Sequence, residues 1–408
     1  MAPYESDDAT AAAQAEDAPS GRRKAARYAV PVAVVGVAAA TIGLVPALAD
    51  SGDPALPKIT AQQLIDKIAK SDVQRLSGTV KVSTDLGLPN LGGLESSLAS
   101  GAARGGDGSS ADPKSHLTEL VSGTHTLRVA ADGPDRQKLS LLESGAEYSM
   151  IHDGKDVWGY DSKTNEVYHG TAAASAGRHR AAPPATPKDF ADEALKAVDG
   201  TTSVTVDGTA QVAGRDAYKL LIKPKQSGTT VGAVSIAVDA KTGMPLKFTL
   251  TPRSGGAAVL DAGFTQVSFA RPAASTFDFT PPKGAKVTEE KDRRKAPEHA
   301  PQAGGEDFAK GLGGAHGPQG AHGPKVLGKG WTSIATFDTG AKGGVPSGSR
   351  GGQLGGFLGS LGDQVSGKFG KGTVFSTRLV NALITDDGKV YAGAVTKDAL
   401  VKAADQGK

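Results

Sequence analysis

Eight histidines are the side chains of this sequence best suited to hold a metal or carry a proton. Two of them form a repeat, Ala315-His316-Gly317-Pro318 and Ala321-His322-Gly323-Pro324. A zinc site needs several ligands on a rigid scaffold. This repeat sits in a Gly/Pro-rich stretch with no carboxylate at ligand spacing, and the chain has no Cys, so no metal and no other cofactor is expected. His152 and His169 fall in strand-like segments and read as residues at a sheet surface. No G-x-S-x-G, Walker-A or H-E-x-x-H pattern occurs, and Gly351-Gly352-Gln353-Leu354-Gly355-Gly356 lacks the following Lys-Ser/Thr that would cradle a phosphate. The lack of Cys also removes disulfides, a thiolate nucleophile and a lipobox. The residues are not arranged for catalysis, and no enzyme activity is expected.

The remaining chemistry is apolar binding. Trp158, Tyr160, Leu220, Ile236 and Phe248 each lie on the more apolar parity of a strand-like segment and are candidates for the wall of a ligand cavity. Each could equally fill a core. Together they favour a cavity, because a single curved sheet with 5% aromatic residues and 55 Gly has few large side chains to fill its concave face. Parity alone does not place the five inward together, since a bulge flips one strand relative to its neighbours.

The elements that must position them follow from local pattern. Thr60 and Gln63 stand in capping-box register before Leu64, Ile65, Ile68 and Ala69, which predicts an amphipathic helix. The apolar period then drops to two over 76–83, a strand, before a Gly/Ser/Leu-rich loop at 86–113. Strands are predicted at 125–131 and 137–142 around the turn Asp132-Gly133-Pro134-Asp135, then at 148–152, 155–160 and 166–168 as a meander. Thr186-Pro187 opens a second helix to 198. Strands resume at 202–207, 216–223, 231–239, 245–251 and 257–269 and close on Phe277-Asp278-Phe279. Their alternation predicts an antiparallel sheet with one apolar face. Charge, Pro, Gly and His dominate 283–330, which reads as a flexible linker. A small module follows at 331–408, with strands at 331–338, 373–375, 379–385 and 389–395 and a helix at 398–404.

The N-terminal part points to export. Gly21-Arg22-Arg23-Lys24-Ala25-Ala26-Arg27 precedes an uncharged apolar span, 28–49, that ends in Pro46 and Ala47-Leu48-Ala49. This is either a signal peptide cleaved after Ala49 or a single-pass anchor, and the basic cluster keeps residues 1–27 cytoplasmic in both cases. A formal charge of +3, with Lys/Arg interspersed among Asp/Glu, supplies no basic face for nucleic acid.

Two motifs carry a resemblance. Asp153-Gly154-Lys155-x-x-Trp158-x-Tyr160 and Phe277-x-Phe279-Thr280-Pro281-Pro282-x-Gly284-x-x-Val287, preceded by the opening helix and Ser77-Gly78-Thr79, resemble the LolA/LolB lipoprotein carriers and the N-terminal domain of RseB/MucB regulators, over 59–287. The sequence looks like actinobacterial members of that superfamily. The resemblance implies a mainly β (α+β) fold: an unclosed antiparallel half-barrel covered by helices that act as a lid, with the small C-terminal α/β module beyond the linker 288–330. It also implies a lipid or lipoprotein acyl chain as the ligand. Exposed acyl chains cost about 0.8 kcal/mol per CH₂ in water, which is what such a cavity would offset. An RseB-like regulator that senses lipid and contacts a membrane-bound regulatory protein, an anti-sigma factor, is the alternative. Where the carriers have an Arg before the Pro of the first hairpin, this chain has Gly133.

Overall fold

The computed structural model describes residues 53–87, 111, 120, 122–171, 186–289, 325–338 and 362–407. The expected export span at 28–49 and the His repeat lie outside these residues. Among the described residues no helix is long and apolar enough to cross a membrane.

Both predicted caps form. Helix α1, Ala61–Ala69, starts with the Gln63 amide N–H donating to Thr60 Oγ1 at 3.2 Å while Gln63 Oε1 accepts from the Thr60 N–H at 2.9 Å. Helix α2, Pro187–Lys196, repeats the device with Thr186 and Asp189, and Pro187 occupies its first turn, where no N–H is needed. Leu64 and Ile68 of α1 and Ala191 of α2 are buried.

Twelve strands form one sheet: β1 Arg75–Thr84, β2 Gly123–Asp132, β3 Arg136–Glu143, β4 Ala146–Asp153, β5 Asp156–Asp161, β6 Glu166–Thr171, β7 Thr202–Val212, β8 Arg215–Pro224, β9 Val231–Asp239, β10 Pro245–Pro252, β11 Leu260–Ser268 and β12 Lys286–Glu289. Their order is β12-β6-β5-β4-β3-β2-β1-β11-β10-β9-β8-β7. Two meanders, β1 to β6 and β7 to β11, are thus joined by antiparallel pairing of β1 with β11, and only β12 runs parallel to its neighbour. The two ends of the order, β12 and β7, are not joined, so the sheet is an unclosed half-barrel.

β7 runs five residues past the predicted stop at 207 because Asp207-Gly208 is not a turn. It lies at the register shift between Val206 and Thr209, where Gly208 takes a φ of 77°, and the strand continues beyond it. Phe277-Asp278-Phe279 is not a closing strand either. It follows a short 3₁₀ turn, Ala274–Thr276, and continues as extended chain.

A second sheet is built from β13 Lys325–Leu327, β14 Ile334–Asp338, β15 Asp363–Gly367, β16 Gly370–Ser376, β17 Asn381–Thr385 and β18 Lys389–Gly393, in the order β13-β14-β18-β17-β16-β15. Helix α3, Lys397–Gln406, packs Leu400, Ala403 and Ala404 onto Ile334, Val374, Leu383 and Tyr391. Strands β12 and β13 enter the two ends of the stretch expected to be linker. Each contributes one apolar side chain that stays largely exposed, Val287 and Val326. Their order comes from backbone pairing to an existing strand, with ion pairs from Glu289 and Lys286 in β12 and the packing of Leu327 in β13, and strands this short leave no periodicity to read.

Candidate functional site

The predicted wall residues divide between the two faces of the half-barrel. Leu220 on β8, Ile236 on β9 and Phe248 on β10 are direct cross-strand partners and form one row, which continues through Ala262 to Val82. Leu220 and Ile236 are fully buried and Phe248 is 5% exposed. They belong to a cluster closed from above by Leu64 and Ile68 of α1 and by Ala191 of α2. Phe190 of α2 stacks on Phe248 with ring centres 5.5 Å apart. A second apolar cluster on the same face, with Val80, Leu127, Leu141, Tyr148 and Phe264, also touches Phe190, so the apolar lining is continuous beneath α2. At its far end the Tyr148 hydroxyl donates to the Ala111 carbonyl at 3.1 Å. A Cβ at Gly159 would stand 2.4 Å from that same carbonyl oxygen, so β5 needs a glycine there.

Trp158 and Tyr160 flank Gly159 and therefore point the other way. The five predicted residues do not share one wall. Register carries Ile151, Trp158 and His169 in one row of the outer face, and Ser149, Tyr160 and Val167 in the next. The chain after β11 straps across these aromatics. Phe279 lies 5.5 Å from Trp158 and 5.7 Å from Tyr160, and Phe277 is buried with the Arg136 guanidinium 6.0 Å from its ring centre. The two sequence motifs thus meet in space as strap and seat. His169 stacks on Trp158 at 3.8 Å, and its ring nitrogens face Asp156 at 3.0 Å and Glu289 at 2.9 Å. It is a sheet-surface residue, as its sequence context indicated, and it ties β12 to β6.

The same outer face carries an open groove of about 590 Å³ beside the strap, with Arg128, Lys138, Ser140 and Glu147 in its lining. Burial works to raise the Glu147 pKa. Hydrogen bonds from Ser149 and Ser140 and the charges of Lys138 and Arg128 outweigh it and hold this carboxyl below its ordinary value. Sequence reading passed over this group because its members are ordinary polar residues on the outward parity of three strands.

The second sheet is docked on the loops at one end of the first. Thr229 bridges to Val395, the Thr230 N–H donates to the Ala394 carbonyl at 3.0 Å, and the Thr396 N–H donates to Gly228 at 2.8 Å. Arg378 donates to the Asp85 carboxylate and to the Ala257 carbonyl. Trp331 Nε1 donates to Thr202 Oγ1 at 2.8 Å. Leu379 is 7% exposed and packs into the α1-covered cluster of the half-barrel.

Sheet order, helices on one face and the strap over the other define an unclosed antiparallel half-barrel that carries a second folded module. No family model and no curated protein matches the chain. Among solved structures it is similar to MucB in the MucA/MucB complex of Pseudomonas aeruginosa, at 15% identity and a TM-score of 0.38, over 84% of this chain and 96% of that one. It is also similar to an uncharacterized conserved protein from Thermus thermophilus, at 14% identity and a TM-score of 0.31, over 56% of this chain and 98% of that one. A LolA superfamily protein from Nitrosomonas europaea aligns at 11% identity and a TM-score of 0.22, over 54% of this chain and 99% of that one.

Proposed function

We propose that this chain is a non-catalytic binding protein, exported by its N-terminal basic and apolar segment, that holds acyl chains of lipid or lipoprotein against the inner face of the half-barrel. The observation that carries the reading is the continuous apolar lining of that face, covered among the described residues by two helices of nine and ten residues. Leu220, Ile236 and Phe248 are the wall residues, and Leu64, Ile68 and Phe190 are the part that must lift. Trp158 and Tyr160 leave this role, because they sit under the strap on the other face. Titration of the purified protein with a fluorescent fatty acid tests the reading. Saturable binding supports it, and absence of any fatty-acid or lipopeptide binding rejects it.

A regulatory reading is favoured by one further observation, the second module with its own core. In it, acyl binding in the half-barrel reports on the envelope, and the module offers the surface for a membrane-bound regulatory protein. Co-purification of such a protein with the full chain, lost when residues 325–407 are displaced, distinguishes regulator from carrier.

A further inference from the structure

The outer-face groove lies across the sheet from the apolar clusters proposed to hold acyl chains, and its chemistry points to a different ligand. One cross-strand row runs from Gln266 through Thr79, Arg128 and Ser140 to Ser149. Lys138 and Glu147 stand on either side of the Ser140–Ser149 pair along β3 and β4. Ser140 and Ser149 are 2% and 5% exposed and share a hydrogen bond of 2.8 Å, and Ser149 donates to Glu147 at 2.7 Å, so the floor is built and fixed. Arg128 and Lys138 are different. Among the described residues their electrostatic partner is Glu147, and no hydrogen bond holds either cation. A guanidinium and an ammonium with unused donors, over a floor of hydroxyls, make an oxyanion seat.

We propose that this groove binds a small, singly charged phosphodiester from solution. Two cations and one carboxylate leave one net positive charge, which a monoanion neutralises, while a second anionic charge would face the ionised Glu147 with no cation left to pair it. The volume of about 590 Å³ exceeds what a bare phosphate fills and accommodates the alcohol groups of a diester. Thr276 of the strap lines one side, so the open groove is bounded by the strap as well as by the sheet.

Calorimetric titration of the full chain with glycerophosphoglycerol, with inorganic phosphate and with phosphatidylglycerol vesicles tests the proposal. Saturable binding of the diester is expected, weakened about tenfold by Arg128→Gln or Lys138→Gln, the worth of one charge-assisted hydrogen bond. Glu147→Gln is expected to shift preference toward the doubly charged inorganic phosphate. Both cationic side chains stand outside the apolar clusters, so the variants retain the wild-type circular dichroism and fatty-acid affinity. Three results overturn the proposal: no saturable heat with the diester, equal affinity in the Arg128→Gln/Lys138→Gln double variant, or binding to vesicles alone. Fatty-acid binding is read separately, so loss of one activity leaves the other reading intact.

Discussion

If α2 is a lid, then weakening its seat must destabilise the fold and strengthen acyl binding together. Phe190→Ala is the perturbation. Phe190 is half-buried, stacks on Phe248 at 5.5 Å and touches both apolar clusters of the inner face. Full burial would make its loss cost about 3–5 kcal/mol; half burial, with the aromatic pair included, brings this to about 2 kcal/mol. For a unit of this size that lowers the melting temperature by about 4–8 °C. A chain entering beneath α2 must break these same contacts. Removing them beforehand returns up to about 2 kcal/mol to the binding equilibrium, or roughly 30-fold in affinity. Thermal melts beside fluorescent fatty-acid titration of wild type and variant measure both. A lower melting temperature with unchanged or weaker affinity would refute the lid, and α2 would then be a fixed part of a solid core.

Three further outcomes follow from the packing. Ile236→Asp puts a charge at a fully buried position between Leu220 and Phe248 and should cost several kcal/mol in a denaturant titration; a loss under about 1 kcal/mol would instead mean that water reaches this wall. Asp239 is 1% exposed and accepts from Arg215 and Thr242, and these bonds outweigh burial to hold its pKa below the ordinary value. Its contribution is therefore present above the unfolded value of about 3.9 and lost as pH falls through the lower folded value; Asp239→Asn should cost about 3 kcal/mol at neutral pH, with the deficit closing below about pH 4, measured by urea melts across that range. Gly243 takes a φ of 76° and a Cβ there would stand 2.3 Å from the Lys67 carbonyl at the end of α1, so Gly243→Ala should raise amide exchange in α1 before it unfolds the sheet, and unchanged α1 exchange would show that the turn absorbs the methyl group.

Where local pattern decides the structure, the sequence was legible. The capping box at Thr60 and Gln63 and the N-cap at Thr186 form at the predicted residues, and the alternation over β8, β9 and β10 places Leu220, Ile236 and Phe248 on the buried face. What stayed hidden depends on relations between strands. Trp158 and Tyr160 are the apolar parity of β5, but the phase of β5 against the sheet is set by Gly159 meeting Ala111, and no single-strand pattern records that. The strap that makes the outer face apolar there comes from more than a hundred residues downstream. Strands β12 and β13 escaped because backbone pairing, the ion pairs of Glu289 and Lys286 in β12 and the single side chain Leu327 in β13 order them without an apolar period. The groove at Arg128, Lys138 and Glu147 escaped because three separate strands bring it together.

The two kinds of contact around the inner face assign mobility. Beside a polar contact from Lys67 Nζ to the Lys241 carbonyl at 3.5 Å, α1 and α2 are seated by apolar side chains, Leu64, Ile68, Phe190, Ala191 and Leu195, and apolar contact is non-directional. Such a helix can shift by a few ångströms and recover most of its burial on new neighbours. The second module is seated by the Thr229–Val395 bridge, the backbone bonds at Thr230 and Thr396, the Trp331 indole and the fork of Arg378. Directional bonds of that kind weaken steeply with misalignment. Since Leu379 enters the same cluster as Leu64 and Ile68, one core is held on one side by contacts that slide and on the other by contacts that do not. Under the proposed function, this asymmetry puts the opening for an acyl chain on the helix side, with the docked module as the fixed wall.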